Sequence, residues 1–369
     1  MAFSTEELCR LWLSAGGVTA DRWMLLEEEF GSAERIWEAF GQRTERAFSS
    51  VQQATLTAMH SRAGMEDYAE RLRKQSISVL FQESEEYPEL LREIEDPPYV
   101  LYYVGDVSAL ARPMVAIIGT RNPSGYGKEM SRSIAKTLAN AGVCVVSGLA
   151  YGIDGCAHEG ALDGAGATVA VLGSGLNVPY PQEHTPLLRK IVRSHGLAVS
   201  EYPLDTKPMP AHFPHRNRII SGMSRAVVFV EGKIRSGGMI TVSTALSQGR
   251  EVFAVPGQIG TSGAEGPHTI LREGARLITC AEDILEDLGL EAEESAQEEA
   301  SAKVWSPRAD MSPVQNQILQ ALARESMTMD GLCMATGIKA AELLPELSVM
   351  TIFGHVRKDA GNLFSIVCK

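Results

Sequence analysis

The stretch M-V-A-I-I-G-T-R-N-P-S-G-Y-G, Met114 to Gly127, decides the fold. Val115 to Ile118 has the pattern of a strand buried on both faces, Gly119 lets the backbone turn tightly, and Lys128 to Asn140 carries apolar residues at helical spacing. A strand that passes through glycine into a helix is a βα junction. In an open parallel sheet such junctions gather at the carboxyl edge, where helix amino ends expose unpaired N–H groups to anions. Arg121 stands in that mouth, a planar and permanently charged fork suited to phosphate.

The same grammar repeats on both sides. Further strands are expected at Val143–Val146, Thr168–Leu172, Leu197–Ser200, Ala226–Val230, Glu251–Val255 and Arg276–Ile278, separated by segments of helical length. Seven strands with helical connections predict a doubly wound, mostly parallel Rossmann-like α/β sheet. Ser78–Phe81 and Val100–Val104 extend it upstream. The expected domains are a helical one at 1–66, the α/β domain at 67–288, an acidic linker at 289–309 and a small domain at 310–369. In the last, helices at Pro313–Ala323, Thr328–Ala335 and Lys339–Met350 precede strands at Ile352–Lys358 and Leu363–Val367, turning at Asp359 to Asn362, which is winged-helix order. The Gly16-Gly17 turn near the amino end suits a backbone-gripping helical hairpin, but Glu27-Glu28-Glu29 favours packing or protein contact.

Composition narrows the class. The 369 residues exceed one typical domain, and the six cysteines form no C-x-x-C pair, so neither a disulfide framework nor a zinc site is expected. No leader-like segment and no 18-residue apolar run occurs, which predicts a cytoplasmic protein without membrane contact. The net charge of -12 is misleading. Leu277 to Ala302 alone holds nine acidic residues and no lysine or arginine, whereas Arg112 to Arg276 holds 17 Lys plus Arg against 11 Asp plus Glu. Local potential governs where a phosphate backbone docks, so the basic middle keeps nucleic acid open as a partner.

The loops after the strands carry the chemistry. S-G-L-A-Y-G-I-D, Ser147 to Asp154, offers a hydroxyl at Ser147, close backbone approach at Gly148, and Asp154 as a helix cap. Asp154 and His158 stand at metal-ligand spacing, but no third ligand is near and capping is the favoured reading. G-S-G-L-N-V-P-Y-P-Q-E-H, Gly173 to His184, opens like a dinucleotide fingerprint, then lacks the third glycine and enters prolines, so no nucleotide cofactor is expected. F-P-H-R-N-R-I-I combines Phe213 as a stacking surface with Arg216, Asn217 and Arg218 as phosphate donors. Ser236-Gly237-Gly238, with Lys233 alongside and Thr241 following, forms an anion nest before a helix. No P-loop, nucleophile elbow or partnered nucleophile is present, and a non-enzymatic role is expected.

In this order G-T-R, S-G-L-A-x-G-I-D, Y-P, S-E-x-P, F-P-x-R-N-R-I-I, S-G-G-x-x-T and V-P-G resemble the DprA/Smf family of bacterial DNA-processing proteins, and the likeness covers nearly the whole chain. The resemblance implies an extended Rossmann domain without cofactor, flanked by a helical SAM-like domain and a winged helix. It implies binding of single-stranded DNA, loading of RecA during natural transformation, and homodimerisation. Carried onto this sequence, the DNA-binding residues are Gly119, Thr120, Arg121, Ser147, Gly148, Gln182, Phe213, Arg216, Asn217, Arg218, Lys233, Ser236, Gly237, Gly238 and Thr241, and the dimer surface is His268 with Ile270 and Leu271. Gln182 stands where many relatives have lysine, and Lys339–Met350 is too acidic for a groove-reading helix. The competing class is a nucleotide-hydrolysing enzyme of the lysine-decarboxylase-like Rossmann group, whose P-G-G-x-G-T-x-x-E glutamate has no counterpart here.

Overall fold

A computed structural model describes residues 3–42, 47–290, 311–322, 327–353, 355–358 and 363–366. It divides into compact units at 1–293 and 294–369. Most of the expected linker and the turn at 359–362 lie outside the described residues.

Five helices open the first unit: α1 (Thr5–Ala15), α2 (Ala20–Phe30), α3 (Ala33–Ala39), α4 (Ser50–Ala58) and α5 (Arg62–Lys74). Serine caps set several of the starts. Ser4 and Ser49 each accept from the backbone three residues on while Glu7 and Gln52 reach back, closing two capping boxes. The α/β part then runs β1 (Ser78–Phe81), α6 (Glu89–Arg92), β2 (Val100–Gly105), β3 (Met114–Ile118), α7 (Gly125–Asn140), β4 (Cys144–Ser147), α8 (Ile153–Leu162), β5 (Thr168–Val171), α9 (Thr185–Arg193) and β6 (Leu197–Ser200). It continues through α10 (His212–Met223), β7 (Ala226–Phe229), α11 (Gly237–Ser247), β8 (Glu251–Ala254), α12 (Glu265–Arg272), β9 (Arg276–Leu277) and α13 (Glu282–Asp287).

The nine strands form one sheet in the order β1-β2-β6-β5-β4-β3-β7-β8-β9. All neighbours from β6 to β9 pair in parallel, and β2 joins β6 antiparallel. The chain winds from β3 outward to β6, then returns to lay β7 against the other side of β3 and winds outward again. The reversal lies between β3 and β7, which is where an open sheet leaves a crevice for a ligand. The central strands are buried throughout, as a sheet covered on both faces requires.

The expected boundary at 66/67 falls inside α5, and the helical region is not separate. Its core is continuous with that of the sheet: Trp12, Trp23, Leu56 and Leu72 pack in one cluster with Tyr102, Leu172 and Ala198. Polar bonds lock the seam, with Tyr102 Oη 2.8 Å from Ser14 Oγ and 3.3 Å from Tyr68 Oη.

The second unit holds α14 (Pro313–Leu322), β10 (Met327–Thr328), α15 (Met329–Thr336), α16 (Ala340–Ile352), β11 (Val356–Lys358) and β12 (Leu363–Ile366). Helix α16 extends to Ile352, which sequence placed in a strand, and β10 adds a third strand in the order β10-β12-β11. No helix among the described residues is long and apolar enough to cross a membrane.

Trp12 is fully buried and its Nε1–H donates to the Leu56 carbonyl at 2.9 Å. Trp12→Ala should therefore cost about 3–5 kcal/mol. Denaturant unfolding should show that loss as a shift of one transition reporting helices and sheet together.

Candidate nucleic-acid interface

At the β3/β7 reversal the loops enclose a cavity of about 540 Å³. Its lining brings together Gly119, Thr120, Arg121, Phe213, Arg216, Asn217, Ser236, Gly237, Gly238 and Thr241, ten of the residues singled out from sequence, together with Tyr180. The β3 loop is fixed across the sheet, since Thr120 N–H donates to the Glu231 carbonyl at 2.7 Å.

The amino end of α7, next to Arg121, is already filled. Ser124 caps it, accepting from Gly127 N–H at 3.0 Å, and the Glu231 carboxylate accepts from Ser124 N–H at 2.9 Å and from its hydroxyl at 2.5 Å. A Cβ on Gly127 would lie 2.5 Å from the Glu231 carboxyl carbon, so glycine makes room for this internal anion. Helices α10 and α11 both begin at this cavity without a side-chain cap, and at α11 the buried Ser236 hydroxyl has no partner among the described residues. The helix ends left open at the cavity are therefore those of α10 and α11, and not that of α7.

Arg121 is exposed and, among the described residues, carries no hydrogen bond or ion pair. Its guanidinium carbon sits 5.7 Å from the centre of the Phe213 ring, and that ring lies 5.5 Å from Tyr180. A free cation beside two accessible aromatic faces can take a phosphate and a stacked base together.

Arg216 proves to be a support. It is 4% exposed and donates to the carbonyls of Gly148, at 2.9 Å, and Val171. Burial pushes its guanidinium down to about 10, while the Asp154 carboxylate holds it up. Burial also raises Asp154, and Arg216 with the N–H groups of Ala150 and Gly148 opposes that rise. Asp154 thus ties down the loop that leads into α8, whereas Gly152 occupies the N-cap expected of it. A Cβ at Gly148 would lie 2.6 Å from Arg216 Nη2 and 2.8 Å from Asp154 Oδ2.

Other expected ligands fall elsewhere. Arg218 points away: it is 6% exposed, with Nε 2.6 Å from Asp96 and Nη2 2.7 Å from Glu201. Ser147 spends its hydroxyl on the Ile117 carbonyl at 2.7 Å, and Thr241, though in the cavity lining, donates its hydroxyl to the Gly237 carbonyl at 3.3 Å. Gln182 is exposed on a short 3-10 turn outside the cavity lining, and Lys233 lines an adjoining cavity of about 990 Å³. Of the expected dimer residues, Ile270 is 2% exposed within the core under the sheet, so it offers no surface; His268 and Leu271 are partly exposed. Tyr180 was legible only as half of a Tyr-Pro motif, and its role follows from standing against Phe213.

His158 is not placed as a ligand. Thr168 Oγ1 donates to the Val145 carbonyl at 2.6 Å and so accepts from His158 Nδ1, at 2.7 Å, leaving a buried neutral ring whose pKa is pushed down to about 3 by burial first and by His184 and Arg216 next. Asp21, Asp96 and His215 bring ligand atoms within 4.8 Å of one another, but Asp96 is engaged by Arg218 and His215 Nδ1 lies 3.1 Å from Glu201.

The family described as DNA recombination-mediator protein A matches residues 78–289, and the family described as DprA winged helix domain matches 299–362. The chain belongs to the DprA/Smf family. This member is 48% identical to Protein Smf of Escherichia coli over 206 residues, 56% of this chain and 55% of that protein. The solved DNA processing protein A of Streptococcus pneumoniae superposes with a TM-score of 0.66 at 33% identity, covering 78% of this chain and 99% of that one. The Helicobacter pylori protein, described for its single-stranded DNA binding mode, gives a TM-score of 0.53 at 32% identity, covering 57% and 95%.

Two outcomes check the supports. Gly148→Ala should lose Arg216 from its seat and destabilise the fold in denaturant titration. Because His158 stays neutral when folded, the unfolded chain gains a proton first, so stability should fall as pH drops from about 6.5 toward 3, at up to about 1.4 kcal/mol per pH unit from this group. A His158→Asn variant should show a shallower decline across that window.

Proposed function

We propose that this chain is a recombination mediator that binds single-stranded DNA in the β3/β7 cavity and passes the strand to RecA during natural transformation. The observation that carries the reading is the exposed Arg121 guanidinium over Phe213, with Tyr180 beside it, in a cavity that the uncapped amino end of α11 also lines. Phosphate lies between Arg121 and the Ser236–Gly238 amides while a base stacks on the aromatic pair. The membership of the family and the single-stranded DNA named for the Helicobacter pylori protein support it.

Binding is favoured over hydrolysis because Asp154, the one carboxylate lining the cavity among the described residues, is spent on two backbone N–H groups beside Arg216. The chain acts in the cytoplasm as a homodimer joined through the α12 end of the sheet, with His268 and Leu271 at the contact.

Arg121→Ala should weaken binding to an oligothymidylate and flatten the slope of log affinity against log salt by about 0.7. Phe213→Ala should weaken binding about tenfold or more and leave the slope unchanged, since stacking releases no counterions. Equal affinity and slope in both variants, by fluorescence anisotropy across a salt series, would overturn the proposal. Sedimentation should give twice the 39.9 kDa chain mass, reduced to the single mass by Leu271→Arg.

A further inference from the structure

Among the described residues of the first unit, three aromatic side chains are exposed: Tyr126, Tyr151 and Tyr180. The other six tyrosines are wholly or partly buried. All three exposed rings follow the ends of β3, β4 and β5, on the carboxyl edge where the Arg121 cavity opens. Open rings gathered on one edge are what a single strand uses as a stacking track. Tyr180 already serves the first cavity beside Phe213.

Charge separates the other two. The Tyr151 hydroxyl donates to the exposed Glu183 carboxylate at 2.5 Å, so that ring stands beside an anion that repels phosphate. Tyr126 is placed otherwise. Its hydroxyl donates to the Pro256 carbonyl at 3.0 Å, which holds the ring as a wall of the adjoining cavity of about 990 Å³. Glu231, the one carboxylate in that lining among the described residues, is already matched by Ser124 at the amino end of α7. Lys233, in the same lining, is exposed and among the described residues carries no hydrogen bond or ion pair. A fixed open ring and a free cation therefore share this cavity, the same chemical pair as Phe213 with Arg121.

The two cavities meet at Thr120, the one residue found in both linings. Its N–H donates to the Glu231 carbonyl at 2.7 Å, and its carbonyl accepts from Ile153 N–H at 3.1 Å. A Cβ on Gly152 would lie 2.3 Å from that carbonyl oxygen, so the divider is also packed closely from behind. A strand leaving the first cavity on this side crosses one fixed residue before it meets Lys233 and Tyr126.

We propose that the cavity beyond Thr120 is a second nucleotide subsite, where Lys233 takes a phosphate and the Tyr126 ring a base of the strand held at Arg121. The inference rests on the single-stranded DNA reading above and adds the direction in which that strand runs, toward β7 and β8 and away from Glu183.

The test uses the full chain and labelled oligothymidylates of increasing length, down to the shortest that still binds. On long strands Lys233→Ala should flatten the slope of log affinity against log salt by about 0.7, and Tyr126→Ala should weaken binding about tenfold with the slope unchanged. Neither should alter binding of the shortest strand, which the Arg121 cavity holds alone, whereas Arg121→Ala should weaken both. A strand carrying 5-iodouracil should photocross-link to the peptide bearing Tyr126 in the unaltered protein, a measurement that does not depend on either variant folding. Unchanged affinity and slope in both variants, equal losses on short and long strands, or cross-links confined to the peptides bearing Tyr180 and Phe213 would each overturn the subsite. A change in sedimenting mass with DNA affinity intact would overturn it too, and give this face to a contact between copies of the chain. If Arg121→Ala still weakens binding in those cases, the proposed function stands without the subsite; if the unaltered chain binds no single-stranded DNA, both fall.

Discussion

The buried guanidinium of Arg216 is the point on which the site depends. It ties α10 to the loop after β4 through the Gly148 carbonyl and to the end of β5 through the Val171 carbonyl, with Asp154 close enough to hold its charge. A buried cation with fixed acceptors is worth little as net stability, but it allows few alternative arrangements of the strands that meet it. Phe213 stands one turn earlier on α10, so the stacking face inherits its position from that anchor. The proposed ligand contact is Arg121, and what aims the surface is Arg216.

A second internal charge decides the polarity of the crevice. Glu231 leaves the end of β7, crosses the reversal and occupies the amino end of α7. This satisfies one helix dipole from within, whereas α10 and α11 start at the same crevice without side-chain caps. The arrangement neutralises one side of the mouth from within, while the other, at Ser236 to Gly238, carries no side-chain cap among the described residues. The same division recurs along α10, where Arg218 is neutralised by Asp96 and Glu201 and serves packing.

The helical region adds support to this sheet. Its aromatic core continues into β2 and β6, and Tyr102 fixes the contact with paired hydroxyls. Because β2 is the strand that reaches β6 antiparallel, the helices brace the side of the sheet opposite to β8 and β9. The proposed dimer contact is thereby left at the free end.

Sequence by itself determined the strands, their parallel winding and the winged-helix order, since the periodicity of apolar residues and the placing of glycines are local signals that burial on both faces makes strong. Ser78–Phe81 and Leu197–Ser200 were legible to the residue, and the other expected strands of the α/β domain differ from the structure only at their ends. It also grouped most of the cavity lining, because strand ends of a doubly wound sheet converge by topology. Only the tertiary structure decided which charges are free. Arg121, Arg216 and Arg218 look alike in a string of letters, yet one faces solvent, one is sunk against carbonyls, and one is matched by carboxylates arriving from Asp96 and Glu201. An ionic partner is chosen by distance in space, which sequence spacing does not record, and for the same reason the merging of the helical region with the sheet and the burial of Ile270 became visible only once the chain was folded.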